Sequence, residues 1–207
     1  MTGESAAYQR FIASLTLTER EWRDDTGYDL VALRACSEDE RRRIEDLLID
    51  RTVKDWRDLE ALAALDSDRA GAEIRATLSS KDPVLRLSAA RLLKDAPGRE
   101  NELEAAVLNI LDARQPHHVQ MVGFDAAANL PTEKVKDALF RLALHGEGDG
   151  AARAAGLLLF LHRLSVAHYP MGERALLNRI ASIDRGDKRK AFQELCDRLG
   201  VSAAKYK

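Results

Sequence analysis

The sequence has few aromatic residues, few cysteines and no long apolar run, and each shortage argues against a class of protein. Aromatic residues make up 5% of the 207 residues, and the two cysteines, Cys36 and Cys196, lie far apart. They follow no metal-ligand spacing, so we expect two buried thiols in a reducing compartment rather than a metal site. The longest uninterrupted apolar run extends from Ala154 to Leu161, which is far short of a membrane span.

The first residues also lack the features of a secretory signal. The segment Met1–Ser5 has no basic region, and no apolar region accompanies it. We therefore expect a soluble, cytoplasmic protein with no membrane partner.

What the sequence does contain is typical of helices. Hydrophobic residues make up 45% of the chain and charged residues 32%. Alanine, leucine, arginine and glutamate dominate, whereas β-branched and aromatic residues are scarce. This composition predicts an all-α protein with almost no strand.

A helix that ends on small residues and a leucine recurs five times along the chain. The closing leucines are Leu65, Leu92, Leu130, Leu159 and Leu195. Between them lie amphipathic segments with apolar residues at three- and four-residue steps, over 70–78, 103–111, 135–144 and 176–183. Such a period indicates stacked helical pairs, in which each pair buries its apolar face on its neighbours.

Turn and capping residues separate these helices. Ser37 and Glu40 form a capping-box sequence, and Asp82 stands directly before Pro83 at the start of a helix. The segments 145–150 and 185–187 are interpreted as the ends of helices followed by turns. Residues 1–52 are less regular, so we predict an N-terminal helical cap there and a repeat domain over residues 53–207.

The segment 82–93 resembles the inner helix of HEAT-like repeats. It contains the family pattern of Asp and Pro, an aliphatic residue, Arg, then Ala-Ala and Leu, in Asp82, Pro83, Val84, Arg86, Ala89, Ala90 and Leu92. Arg153 and, more loosely, Arg189 match the arginine position in later copies, whereas the copy over 120–130 lacks it. The resemblance implies a right-handed α-solenoid of about four to five helical pairs, in which Asp82 and Arg86 are structural.

No group of residues predicts a reaction centre. His117 and His118 are adjacent and diverge on a helix, while His162 and His168 straddle a helix end, so we expect no metal. The segment 145–150 has three glycines but lacks the ligand spacing of a calcium loop and the lysine of a phosphate loop. We therefore predict that the chain is not an enzyme and has no cofactor.

Charge is unevenly distributed along the chain. The net charge is −2; residues 1–70 carry 17 acidic and 11 basic side chains, and residues 174–207 carry four acidic and nine basic ones. The overall balance does not favour nucleic acid as a partner, because duplex binding requires an excess of cations. The basic run around Lys188-Arg189-Lys190 is interpreted as a solvated surface.

These features favour a protein–protein interaction module. Residues expected to contact the partner are Arg57, Arg91, Gln120, Arg153, Arg163 and Lys190 on the inner helices, together with Asp24 and Asp25 in the acidic cap. A sharper hypothesis is an immunity or antitoxin-like protein that neutralises a bacterial toxin, because the chain resembles small HEAT-like proteins that accompany toxins. Its acidic cap, which also contains Asp29, Glu38, Asp39 and Glu40, would then mask a basic active site.

Other functions of HEAT-like folds stay open. One alternative is an enzyme of the DNA glycosylase or bilin lyase type, and another is a plain assembly scaffold.

Overall fold

Polar residues cap the starts of most helices of this protein. The computed structural model describes residues 4–16, 18–19, 26–98, 101–112, 114–168 and 170–206. These residues form twelve α-helices and two 3-10 turns and contain no strand, which confirms the all-α prediction. The first six helices are α1 (Ala6–Ser14), α2 (Leu30–Ala35), α3 (Glu38–Ile49), α4 (Trp56–Leu65), α5 (Asp68–Thr77) and α6 (Pro83–Leu92). The second six are α7 (Glu102–Ile110), α8 (His117–Ala128), α9 (Glu133–His145), α10 (Gly148–Leu161), α11 (Arg174–Ile180) and α12 (Arg185–Leu199). The 3-10 turns are η1 (Met171–Glu173) and η2 (Ala203–Tyr206).

Two of the predicted caps are present as expected. Ser37 caps α3 in a capping box with Glu40, and the Asp82 side chain accepts from the backbone N–H groups of Val84 and Leu85 beside Pro83. Such caps satisfy N–H groups that have no partner within the helix.

The chain forms two compact units, Met1–Glu102 and Leu103–Lys207, and each is described by itself. These units are defined by compactness, whereas the predicted division separates an end cap from repeats. The predicted division therefore stays a prediction. In the first unit, α4 packs against α2, α3, α5 and α6, while α3 also contacts α5. The core is closed by fully buried apolar side chains, including Phe11, Leu33, Ile44, Leu59 and Leu62.

A buried polar network links three parts of the first unit. The Tyr28 hydroxyl donates to Asp58 Oδ1 over 3.1 Å, and Arg51 Nη1 lies 2.7 Å from the hydroxyl and 2.6 Å from Asp58 Oδ1. Burial, followed by the negative charge of Asp58, raises the pKa of Tyr28 to about 12. The phenol therefore stays protonated and acts as a donor.

In the second unit α10 is the central helix. It contacts α8, α9 and α11. Most of its residues are buried, and the buried ones are alanines, glycines and leucines. At Gly150 the helix approaches α8 so closely that an added Cβ would lie 2.6 Å from Gln120 Oε1. The small residues of the sequence pattern thus permit close helix packing, as expected.

Aromatic rings join η2 to this unit. The Tyr206 ring stacks on Phe140 of α9 at a centroid distance of 4.7 Å and meets the edge of Phe192 of α12 at 6.1 Å. The Tyr206 hydroxyl donates to Asp137 Oδ1 over 2.8 Å. This turn therefore ties α9 and α12 together.

Two local predictions are wrong. Residues 185–187 are the first turn of α12, because the Asp184 side chain accepts from the N–H groups of Gly186 and Asp187 and starts the helix there. Residues 148–150, which were predicted to lie in the turn after a helix, are the first residues of α10.

Candidate binding groove

An open groove of about 1400 Å³ lies in the second unit. One side consists of the turn between α9 and α10, from Leu144 to Gly148. The other side consists of the turn between α11 and α12, from Ala181 to Ile183, and of α12 itself. Concave surfaces of this kind are the default candidates for ligand or partner binding.

The position of α12 places its basic residues in the groove. Arg185, Lys188, Arg189 and Phe192 follow at steps of three, one and three residues, so they share one face of the helix. Phe192 is buried, whereas Arg185 and Arg189 are exposed. The groove thus has an apolar base and a cationic rim.

Lys188 joins the two sides of the groove. Its side chain is 7% exposed, and its Nζ donates to the carbonyl oxygen of Gly146 at the end of α9. Burial lowers the pKa of this amine, and the nearby Glu147 opposes that shift. The contact also suits a helix C-terminus, whose carbonyl groups favour a cationic donor.

Ion pairs occupy some of the charged groups around α12. Arg179 lies 3.0 Å from Asp187 and 2.8 Å from Glu194, and Arg198 lies 2.7 Å from Glu173 and 2.8 Å from Glu194. Glu194 is therefore neutralised by two guanidinium groups.

Three other cations of the groove are not paired in this way. Arg185, Arg189 and Lys190 are exposed, and none forms an ion pair within 4 Å of another described residue. Lys190 still contributes to lowering the pKa of Asp184, although less than the backbone N–H groups that this carboxylate caps. These three side chains are available to an anionic ligand.

The predicted partner-binding residues of the second unit lie in different places. Lys190 lines the groove. Arg163 is exposed just after α10, with a φ of 62° in the left-handed region. Gln120 and Arg153 both lie beside the start of α10, where Arg153 pairs with Asp149 at 2.7 Å. Gln120 is 5% exposed and donates from Nε2 to the Asp112 carbonyl, so it offers little surface to a partner.

The predicted residues of the first unit also differ in exposure. Arg57 is 7% exposed; its Nη1 lies 3.0 Å from Asp55 Oδ2, and its guanidinium carbon lies 5.1 Å from the Trp56 ring centroid. Arg91 is exposed. Asp24 and Asp25 lie outside the described residues.

The rest of the acidic cap is partly used within the first unit. Asp29 caps α2 and lies 2.6 Å from Arg10. The carboxylate of Glu40 accepts from the backbone N–H groups of Ser5 and Ser37, which lower its pKa to about 2. Glu38 and Asp39 project into solvent, and both lie within 4 Å of Arg42.

The described residues contain no group of three or more His, Cys, Asp or Glu side chains arranged to hold a metal ion. Cys36 and Cys196 are both buried, as predicted, and they form no disulfide within the described residues. No helix within the described ranges has the length and apolar character to cross a membrane.

Two features of the groove were missed by the sequence interpretation. Arg185 and Arg189 are separated by one helical turn, but this spacing has meaning only once the helix is known to start at Arg185. Ile183, a groove residue that is 99% exposed, was included in a predicted helix that in fact ends at Ile180. The signal that could have located both is Asp184, an N-cap residue type followed by a helical pattern.

Comparison of the chain with models of known families, with curated proteins and with solved structures finds no match.

Proposed function

We propose that this chain is a non-enzymatic HEAT-like repeat protein that binds another protein. Helix contacts within the first unit support the repeat: α4 packs against both α2 and α6, while α3 packs against α5. Contacts between alternate helices are what layered helical pairs require. In the second unit α8 and α10 also contact each other as alternate helices.

The groove carries the binding part of the proposal. Exposed cations that form no ion pair with another described residue, beside a concave surface with a buried aromatic base, are typical of a surface that a charged partner covers. Lys190, one of the residues predicted to contact the partner, belongs to this set.

Toxin neutralisation is the finer form of this proposal. If the acidic cap binds the toxin, Glu38 and Asp39 are its most accessible carboxylates among the described residues. Asp29 and Glu40 already accept backbone hydrogen bonds within the first unit. These two carboxylates and the groove cations have opposite charge, so one experiment can separate the two surfaces.

Affinity capture from the native host tests the function. The wild-type chain is compared with Arg185→Glu/Arg189→Glu/Lys190→Glu and with Glu38→Lys/Asp39→Lys, and captured proteins are identified by mass spectrometry. We expect a protein that the wild type and the acidic-cap variant retain and that the groove variant loses. Loss only in the acidic-cap variant, or no protein retained above the bait-free control, would contradict binding at the groove.

A further inference from the structure

The charge of the groove defines the class of partner segment that fits it. Five basic side chains line it, against three acidic ones, Glu147, Glu194 and Asp197. Because Arg179 and Arg198 already neutralise Glu194, the groove has an excess of positive charge. A ligand that supplies carboxylates would pair with Arg185, Arg189 and Lys190, which form no ion pair with another described residue.

The spacing of the cations adds a geometric condition. Arg185 and Arg189 lie one turn apart on the same face of α12, so their backbone positions are separated by about 6 Å along the helix axis. Two carboxylates at a similar separation could each accept from one guanidinium group. Lys190 lies next to Arg189 and extends the cationic rim.

An apolar side chain stands beside these cations. Ile183 is 99% exposed and lines the groove, and Leu144 is half-buried on the opposite side. One exposed isoleucine alone is ordinary. Next to a rim of cations, however, it gives the surface both an ionic and an apolar component, which amphipathic peptides match.

Nucleic acid fits this surface less well. Phosphate backbones are bound through many cations, and among the described residues of this groove only Arg185, Arg189 and Lys190 are exposed without an ion pair. Within the described part of the groove, Phe192 is the one Phe, Tyr or Trp side chain, and it is buried, so its ring does not offer a base a surface for stacking.

We propose that the groove binds an acidic, amphipathic peptide segment of a partner protein. Two of its carboxylates pair with Arg185 and Arg189, and an aliphatic side chain packs on Ile183. This inference rests on the proposed function, since it names the chemistry of the partner at the same groove.

Fluorescence anisotropy with defined probes tests the inference. The probes are a dye-labelled 12-residue peptide of Glu-Glu-Leu repeats, the same peptide with Gln in place of Glu, and a labelled 12-nucleotide single-stranded DNA. The chains are the wild type, Arg185→Glu/Arg189→Glu, Ile183→Ser, and a control reversal of two exposed lysines of the first unit, Lys81→Glu/Lys94→Glu. Circular dichroism confirms that each variant is folded; the Arg185→Glu change lies in the first turn of α12, where a negative charge suits the helix dipole.

We expect the acidic peptide to bind the wild type and the Lys81→Glu/Lys94→Glu variant equally. The groove reversal and the Gln peptide should each weaken binding by about tenfold or more, the effect of roughly 1.4 kcal/mol in lost charge pairing. Ile183→Ser should weaken it by about threefold, the effect of roughly 0.6 kcal/mol of lost apolar contact. Raising the salt concentration should weaken binding of the acidic peptide.

Three results would overturn the inference: equal binding of the Gln peptide, unchanged binding by the groove reversal, or tighter binding of the DNA than of the acidic peptide. If host capture still depends on the groove while the acidic peptide does not bind, the proposed function stands and the peptide chemistry is wrong. If neither capture nor peptide binding depends on the groove, both are wrong.

Discussion

At the scale of single residues, Gly123 lets α8 approach α7 closely. A methyl group added there would lie 3.2 Å from Ile110 Cβ and closer still to Ile110 Cγ2, and the Ile110 side chain is fully buried. We therefore expect Gly123→Ala to destabilise the protein by about 1–3 kcal/mol, the usual cost of overpacking a core. Urea denaturation followed by circular dichroism measures the change.

Gly71→Ala is the matched control for this prediction. Gly71 is also inside a helix, but the nearest atom to an added methyl group is Arg75 Nη1 at 3.2 Å, the end of a flexible side chain. Since alanine is the better helix former, this variant should be more stable by roughly 0.5–1 kcal/mol. Equal effects of the two substitutions would show that packing against Ile110 is not the cause.

Residue types alone could not separate the buried polar side chains from the exposed ones. Arg57 and Gln120 carry polar groups that the sequence assigns to a surface, yet both are buried. Arg57 follows the N-cap residue Asp55 closely enough to pair with it, and Gln120 reaches a carbonyl of the preceding turn. Both partners are local, but the burial comes from helix packing, which sequence spacing does not specify.

At the scale of helices, the residue at which a helix starts was easier to predict than the face on which each side chain lies. Ser37 with Glu40 and Asp82 with Pro83 are local signals, since the cap and the N–H groups it satisfies are within a few residues. The basic face of the groove was harder to predict. Arg185 and Arg189 share a helix face only because α12 starts at Arg185, where the sequence suggests a turn. A shift of one residue rotates a helix face by about 100°.

The turn η2 provides a test at this scale. The Tyr206 side chain contributes ring packing against Phe140 and Phe192 and a hydrogen bond to Asp137. Tyr206→Ala removes both and should cost about 3–5 kcal/mol, the range for large aromatic residues in cores. Tyr206→Phe removes only the hydroxyl and should cost about 1 kcal/mol.

Thermal and urea unfolding of the two variants measure this difference. Equal losses would mean that the hydrogen bond to Asp137, rather than ring packing, holds η2 against α9 and α12. No loss in either variant would contradict the role of η2 in joining these helices.

At the scale of the whole molecule, the all-α class follows from composition, whereas the grouping of helices does not. Small residues in α10 indicate that other helices approach it closely, but not which ones. Its contact with α8 depends on residues distant in sequence, such as Gln120 beside Gly150. A repeat pattern predicts neighbours in sequence, and the contact of α9 with α12 lies outside that pattern.

Acid should destabilise both units, because each holds a carboxylate with a strongly lowered pKa. The backbone N–H groups of Ser5 and Ser37 lower the pKa of Glu40 to about 2, and Arg114 lowers that of Asp112 to about 2. A lowered pKa in the folded state stabilises the protein above the unfolded value near 4, and this contribution is lost as the pH falls toward 2. Melting temperatures measured by circular dichroism from pH 6 to 2 should therefore fall steeply below about pH 4.5.

The Glu40→Gln variant should melt at a lower temperature than the wild type at pH 6, and its melting temperature should fall less on acidification. The control Glu38→Gln, which removes an exposed carboxylate of the same helix, should follow the wild type. A Glu40→Gln curve parallel to that of the wild type would show that Glu40 does not contribute to acid sensitivity.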